Sequence, residues 1–181
     1  MKTLNIALPG NRVQTQDFIL SGVQIFIWSC LLGLASQCSL LLPWSPIPLT
    51  GQTLCLFAMV TSLGKRSVWA CFLYLLEGGS GLPFFAQNSA GWLNLVGPSG
   101  GYLIGFLMST IVMSYLYKYQ IFQSFLGKIL LFSLGNTVIL GLGTVWLIIL
   151  GFSLPFTQGL FPFLLGDVIK IFFAAFLLHH W

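Results

Sequence analysis

Long apolar stretches separated by short polar connections constrain the fold of this chain more than any other feature. An α-helix needs about 20 mostly apolar residues to cross a membrane, and fewer where protein covers part of it. On this basis the sequence predicts an all-α integral membrane protein, in which residues 1–181 form a single membrane domain, one six-helix bundle. The six predicted membrane helices lie at roughly 18–42, 50–64, 67–77, 100–117, 129–152 and 160–178.

The composition supports this fold class. Of the 181 residues, 57% are apolar and 6% are charged, whereas soluble domains are about 25% charged. The net charge of +4 comes from scattered cations, without the basic stripe that binds nucleic acid. Cys30, Cys38, Cys55 and Cys71 lack a C-x-x-C pair or a neighbouring histidine. We therefore interpret them as buried apolar side chains, and predict neither a metal site nor a cofactor.

The distribution of positive charge predicts the orientation of the bundle. Six cations fall on one side when six helices are threaded: Lys2, Arg12, Lys65, Arg66, Lys118 and Lys128. The three opposite connections, 43–49, 78–99 and 153–159, contain no lysine or arginine. The positive-inside rule then places both termini in the cytoplasm and the neutral connections outside.

Asp167 and Lys170 lie in the middle of the last apolar run. A lone charge within a membrane costs several kcal/mol, so such residues are usually paired, turned inward and functional. Three residues apart, the two side chains share one helical face. At 1.5 Å per residue from Leu160, they lie roughly 10 Å and 15 Å below the outer surface. They indicate a pocket that opens outward, or alternatively a structural ion pair that locks the bundle.

Two of the outward connections have unusual chemistry. The stretch "PWSPIPLTGQT" has three prolines within six residues, so it cannot continue a helix, and irregular backbone at membrane depth is tolerated where it lines a cavity. The stretch "EGGSGLPFFAQNSAGWLNLVGPSGGY" combines glycines with amides and aromatic rings. It is typical of a lid over a ligand, or alternatively of an interfacial loop with an aromatic belt.

Three further polar residues have simpler explanations. Glu77 stands at the outer end of the third helix before two glycines, and we interpret it as a solvated carboxylate. Gln52 and Asn136 lie in apolar runs, where hydrogen bonds between helices account for them. We keep Gln52 and Asn136 as secondary candidates for ligand binding.

An enzymatic alternative arises from "GPSG" at 97–100, which matches the G-x-S-G around the nucleophile of rhomboid intramembrane proteases. Ser99 is predicted at the outer end of the fourth helix, whereas His179 and His180 end the sixth helix on the cytoplasmic side. A nucleophile and its base must lie about 3 Å apart, but the helix from Pro162 to His179 spans roughly 25 Å. The dyad cannot form. The chain also lacks a G-x-x-x-x-G-K-[S/T] loop, so it cannot hydrolyse ATP itself.

Four stretches together resemble one family. They are "SPIPLTGQT", "YLLEGGSGLPFFA", "GPSGGYLIGF" and "FPFLLGDVIK", and in order and spacing they are similar to the signatures of the BioY family, the biotin-specific S components of energy-coupling factor (ECF) transporters. The resemblance covers roughly residues 18–178. Ser99 stands where threonine is more usual and Gly51 where a larger residue is common. The lid lacks basic side chains, so a carboxylate-binding arginine cannot be transferred from the family.

The resemblance implies high-affinity capture of biotin from outside a bacterial plasma membrane by a multi-pass protein. It also implies docking onto a transmembrane coupling subunit that carries two ATP-binding subunits. A related S component for another small vitamin is the alternative.

The resemblance implies a biotin site around the intramembrane pair. We expect Asp167 to accept hydrogen bonds from the ureido N–H groups, with Lys170 at the same end because the two residues are one turn apart. Asn88 and backbone donors of the lid then meet the carboxylate near the mouth. The remaining expected binding residues are Phe84, Phe85 and Tyr102 as walls, and Gln52.

Docking of the coupling subunit is expected on the first helix. Ser29 with Gly33, and Ala35 with Ser39, repeat small residues four apart, which allows a neighbouring helix to approach closely.

Overall fold

A computed structural model of the chain describes residues 11–179, with side chains described from residue 16 onward. The helices are α1 (Asn11–Gln37), α2 (Gln52–Leu63), α3 (Ser67–Gly79), α4 (Leu93–Val96), α5 (Gly100–Leu116), α6 (Phe125–Ile149), α7 (Pro155–Gly159) and α8 (Phe161–Leu177). Two short strands, β1 (Ser39–Leu40) and β2 (Leu49–Thr50), pair in antiparallel fashion between α1 and α2.

All six predicted helices are present, with corrections at two of them. Helix α1 ends at Gln37 instead of continuing to residue 42, because the chain turns into the β1–β2 ribbon, whose prolines exclude helix. Helix α6 begins at Phe125 instead of residue 129. Helix α8 matches the predicted segment 160–178, the short α7 precedes it in the connection predicted at 153–159, and Pro162 occupies the first turn of α8. Proline is tolerated there because the first N–H groups of a helix have no partner within it.

Three segments of the described chain are long and apolar enough to cross a membrane by length and composition: Gln16–Gln37, Phe125–Ile149 and Pro155–Leu177. Helix α5 is a shorter apolar helix of 17 residues. Helices α2 and α3 have 12 and 13 residues. The chain is therefore a helical membrane protein, and the crossing of the membrane by all six principal helices stays a prediction.

Helices α5 and α6 approach closely because glycines lie at their contact. A Cβ at Gly105 would lie 3.0 Å from the Cα of Ile139, and a Cβ at Gly143 would overlap the ring of Tyr102. Small residues allow such approach where the lipid supplies no hydrophobic driving force between helices. The contact directs Tyr102 of α5 toward the interior.

Helices α2 and α3 form a hairpin whose residues are mostly buried or half-buried. Its tight turn at Gly64–Arg66 begins with Gly64 at φ 54°, a conformation that favours glycine. Phe57 of α2 is fully buried and stacks on Phe132 of α6 with ring centroids 4.5 Å apart. Packing of this kind makes α2 a central element of the bundle.

The neutral connections meet at one end of the bundle. The Ser45 hydroxyl donates to the carbonyl of Gln158 at 2.7 Å, and the Trp146 indole N–H donates to the carbonyl of Gly97 at 3.0 Å. The first bond joins connection 43–49 to connection 153–159, and the second joins α6 to connection 78–99. The three segments therefore form one surface, as the sequence predicts.

Apart from Lys170, the cations whose side chains the structure describes lie at the other end. The Lys65–Arg66 turn contacts α5, at whose end the Lys118 ammonium lies 4.1 Å from the centre of the Tyr115 ring. Lys128 is not a loop cation: it is buried in the first turn of α6 and donates to the carbonyl of Leu178. Lys2 and the side chain of Arg12 lie outside the described residues, and the cytoplasmic orientation of this end stays a prediction.

Two expectations about buried and exposed side chains are wrong. Cys38 is exposed because α1 ends just before it, Cys30 and Cys55 are half-buried, and Cys71 is the buried cysteine among the described residues. Glu77 is not fully solvated, since one of its carboxyl oxygens is buried without a hydrogen-bond partner in the described structure.

Candidate ligand-binding site

A cavity of about 320 Å³ lies beneath the neutral connections. Its walls come from α2, α5, α6 and α8, and its roof from the β1–β2 ribbon and the α3–α5 connection. Ligand pockets usually have volumes of about 300–1,000 Å³ and combine apolar walls with a few polar groups. Leu103, Phe106, Ile139 and Leu140 supply apolar wall here. The size and lining suit a single small molecule.

Asp167 and Lys170 lie in the wall of this cavity. Their side chains form an ion pair with 3.1 Å between the Lys170 ammonium and one Asp167 carboxylate oxygen. The Asp167 side chain is only 3% exposed and that of Lys170 is 23% exposed. A carboxylate can accept about four hydrogen bonds, so Asp167 keeps acceptor capacity for a ligand. The predicted pair thus forms and faces a cavity, which agrees with a binding role.

Lys170 also closes one side of the cavity. Its ammonium donates to the backbone carbonyl of Thr50 at 2.9 Å, which links α8 to β2. An ammonium has three N–H donors, and two of them are taken by Asp167 and Thr50. One donor remains for a ligand in the cavity.

Gln52 lines the cavity, but its amide is bound to protein at both ends. Its nitrogen donates to the Tyr74 hydroxyl at 2.6 Å, and its oxygen accepts from the Thr50 hydroxyl at 3.1 Å. This is the interhelical hydrogen bond considered as the simpler explanation. Asn136, the other secondary candidate, is buried but does not line the cavity.

The aromatic walls are partly those predicted. Phe85 is buried in the roof and packs edge-on against Tyr74, with ring centroids 5.7 Å apart. The Tyr102 hydroxyl donates to the carbonyl of Gly159 at 2.6 Å, and its ring lies 5.7 Å from Phe163. Phe85, Tyr102 and Phe163 all line the cavity. Phe163 was missed, although the quoted stretch "FPFLLGDVIK" places it one turn before Asp167.

Phe84 and Asn88 do not line the cavity, contrary to expectation. Phe84 packs instead against Gly33 of α1, where a Cβ would lie 2.7 Å from the ring. Asn88 is exposed. The reason is the tight turn that Phe85 and Ser89 close by pairing their backbones. Within it, Phe85, Gln87 and Ser89 reach the cavity.

Other polar residues of the cavity were missed. The Thr53 hydroxyl is buried and has no hydrogen-bond partner within the part of the chain that the structure describes. It lines the cavity one residue after Gln52. Ser99 and Asn94 also line it. An unpaired hydroxyl at an apolar wall is a natural contact for a polar ligand atom, since buried polar groups are normally paired.

The four predicted docking residues do not share one outer face. Ser29 and Gly33 are buried inside the bundle, with Gly33 beneath Phe84, so their assignment to a docking face is wrong. Ala35 lines an apolar groove between α1, α2 and α8, with a volume of about 600 Å³. Ser39 lies in β1, beside a second groove that includes Lys170.

The protease alternative is not supported by the geometry. Ser99 lines the cavity at the N-terminus of α5. His179 lies at the opposite end of the bundle, with its ring 5.6 Å from that of Phe125. His180 lies outside the described residues. Ser99 therefore has no base in reach among the histidines that the structure describes.

The helical membrane bundle encloses a small-molecule cavity between apolar walls, beneath two connecting segments. This is the arrangement of a substrate-binding membrane transport protein. The chain belongs to the BioY family, whose model matches residues 7–181. This family consists of transporters and not of enzymes.

Individual relatives agree with this membership. The chain is 35% identical to the biotin transporter BioY2 of Lactococcus lactis subsp. cremoris, over 72% of this chain and 74% of the relative. It is 34% identical to the biotin transporter BioY of Thermotoga maritima, over 74% and 80% of the two chains. A crystal structure of the S component for biotin from an ECF-type ABC transporter superimposes with a TM-score of 0.80 and 19% identity, covering 94% of this chain and 93% of the other. The latter likeness shows the shared fold.

Proposed function

We propose that this chain captures biotin in the cavity beneath its neutral connections, as the S component of an ECF transporter. The observation that carries this proposal is the buried Asp167–Lys170 ion pair, which faces an otherwise apolar cavity in a member of the BioY family. The relatives described above are named as biotin transporters.

The chemistry of the cavity suits the two ends of biotin differently. The ureido N–H groups need an acceptor, which Asp167 supplies, and the ureido carbonyl takes the remaining donor of Lys170. The thioether ring and aliphatic chain need apolar walls, which Tyr102, Phe106 and Phe163 supply. The carboxylate then lies near the roof. There Gln87 takes the place expected of Asn88, because Gln87 lines the cavity and Asn88 does not.

Isothermal titration calorimetry on detergent-purified protein tests the proposed ligand. We expect tight, saturable binding of biotin and no binding of thiamine or riboflavin, because neither offers Asp167 two N–H donors on either side of one carbonyl. Tight binding of another vitamin without binding of biotin would favour the alternative, an S component for that vitamin. Absence of binding by all three would reject both.

The proposal includes partners and a place in the cell. The given sequence has no phosphate-binding loop of the kind that binds ATP, and membership of the BioY family supports uptake driven by a coupling subunit with two ATP-binding subunits. The protein then lies in a bacterial plasma membrane, with its cation-bearing end, and both termini, in the cytoplasm.

Docking of the coupling subunit is proposed at the groove between α1, α2 and α8, where Ala35 is the candidate that remains on α1. Ala35→Leu fills part of this groove, so we expect reduced biotin uptake in cells that supply the other subunits, with unchanged biotin binding by the purified protein. Gly22→Leu is the control on the same helix, because no heavy atom would lie within 4 Å of a Cβ there. Normal uptake by Ala35→Leu would reject docking at this groove.

A further inference from the structure

The turn that roofs the cavity is held by the last residues of α1. Ser36 is fully buried, and its hydroxyl lies 2.7 Å from the carbonyl of Phe84. The Gln37 amide nitrogen lies 2.9 Å from the carbonyl of Pro83 and 3.1 Å from that of Phe85. Two neighbouring side chains of α1 thus have donors within hydrogen-bonding distance of three consecutive carbonyls of the loop, and the Ser36 hydroxyl shares its donor with the carbonyl of Gly33.

The other end of the Gln37 amide holds the far side of the same turn. Its oxygen accepts from the backbone N–H of Asn88 at 3.0 Å. The Gln37 side chain therefore spans the turn, with its nitrogen on residues 83–85 and its oxygen on residue 88. Gln37 does not line the ligand cavity, so its contacts to the turn are not contacts to a ligand.

The backbone of this turn needs such support. Gln87 and Asn88 have φ angles of 61° and 56° and are the non-glycine residues with positive φ in the described chain. Side chains disfavour this left-handed conformation, and it persists where the surroundings impose it. Of the two residues, Gln87 lines the cavity, while the backbone N–H of Asn88 bonds to Gln37. The turn therefore has a residue that lines the cavity, Gln87, directly followed by the residue that Gln37 holds, Asn88.

We infer that Gln37 is a positioning residue for ligand retention: it holds the Phe85–Ser89 turn closed over the cavity and so sets the rate at which the ligand leaves. This inference rests on the proposed function, because it takes the cavity as the ligand site. The closed turn places Phe85, Gln87 and Ser89 against the ligand. Opening the turn requires the bonds to Gln37 to break, so the rate of ligand dissociation depends on them; the ligand enters past the same turn, so the rate of association depends on them as well.

The test compares Gln37→Met, which keeps the length of the side chain, with Gln24→Met on an exposed position of the same helix. Loss of the two to three hydrogen bonds should raise the dissociation rate of biotin roughly tenfold, and the association rate should not fall, because the ligand enters past the same turn. Gln24→Met should change neither rate. An unchanged dissociation rate in Gln37→Met would overturn the inference.

A second variant separates positioning from general stability. Glycine adopts positive φ without the penalty of a side chain, so Asn88→Gly should relieve part of the need for Gln37. In the Gln37→Met background, Asn88→Gly should restore part of the biotin residence time, although it adds no contact to the ligand. If Gln37→Met instead lowers the thermal midpoint of the unliganded protein and Asn88→Gly restores nothing, Gln37 has a merely structural role and the inference fails.

Hydrogen exchange of the unliganded protein decides the role of Gln37 independently of the ligand. The N–H of Asn88 is bonded to Gln37, so its exchange should accelerate in Gln37→Met while the amides of α5 and α6 keep their protection. If the native protein binds no biotin but the Asn88 amide still exchanges faster in Gln37→Met, Gln37 holds the turn and biotin is not the ligand. Unchanged exchange at Asn88 would overturn the inference whatever the ligand.

Discussion

Asp167→Asn is expected to weaken biotin binding by about 2–4 kcal/mol, because it removes a charged acceptor and leaves Lys170 without its ion-pair partner. This corresponds to a dissociation constant raised roughly 30- to 700-fold. Asp167 is the buried member of the pair, so water cannot readily replace the lost interaction. Calorimetry of native and variant protein in the same detergent measures the change.

Asp17→Asn is the matched control for Asp167→Asn. Asp17 is an exposed carboxylate of α1, and its neutralisation should leave biotin affinity unchanged. The double variant Asp167→Asn with Lys170→Met distinguishes ligand contact from simple loss of pairing. If Asp167 binds biotin directly, removing the stranded lysine does not restore affinity. Native affinity in Asp167→Asn, or full recovery in the double variant, would reject Asp167 as the ureido acceptor.

Lys170→Met should weaken biotin and biotin methyl ester by the same factor, corresponding to about 1.5–3 kcal/mol for a hydrogen bond from a charged donor. The reason is the position of the ammonium, which lies 3.1 Å from Asp167 and 2.9 Å from the Thr50 carbonyl. Its third donor is therefore proposed to reach the same end of the ligand as Asp167, which we assign to the ureido ring.

The ratio of the two affinities decides the orientation of the ligand. The bond from Lys170 to Thr50 is lost with either ligand, so its effect cancels in the ratio. Lys118→Met, at an exposed cation at the opposite end of the bundle, is the control and should change neither affinity. If Lys170→Met abolishes the preference for biotin over its ester, Lys170 holds the carboxylate and the ureido assignment is wrong.

Local patterns in the sequence were sufficient to predict the principal helices. Helix α5 was expected at 100–117 and lies at Gly100–Leu116, and the turn between α2 and α3 lies where Gly64 and two cations interrupt the apolar run. The Asp167–Lys170 ion pair was also predictable, because residues three apart share a helical face whatever surrounds the helix. The order of the quoted stretches identified the family, which the comparisons confirm.

The sequence did not predict which residues in and beside the Phe85–Ser89 turn face the cavity. Phe84 and Asn88 were expected in the cavity, but Phe85 and Gln87 lie there instead. The direction of these side chains depends on two left-handed residues, and this conformation is held by Gln37, about 50 residues earlier in the chain. No local pattern encodes such a contact.

The burial of the small residues of α1 was equally hidden. In a soluble helix, polar residues mark the outer face, but a membrane helix is apolar on every side, because lipid tails and protein interiors are both apolar. Ser29 and Gly33 therefore have the same pattern whether they face a partner subunit or α3 and the roof turn. The sequence alone determined which segments are helical and which charges pair along one helix. Only the tertiary structure decided which helix faces are buried and which loop residues reach the cavity, because both depend on contacts between distant segments.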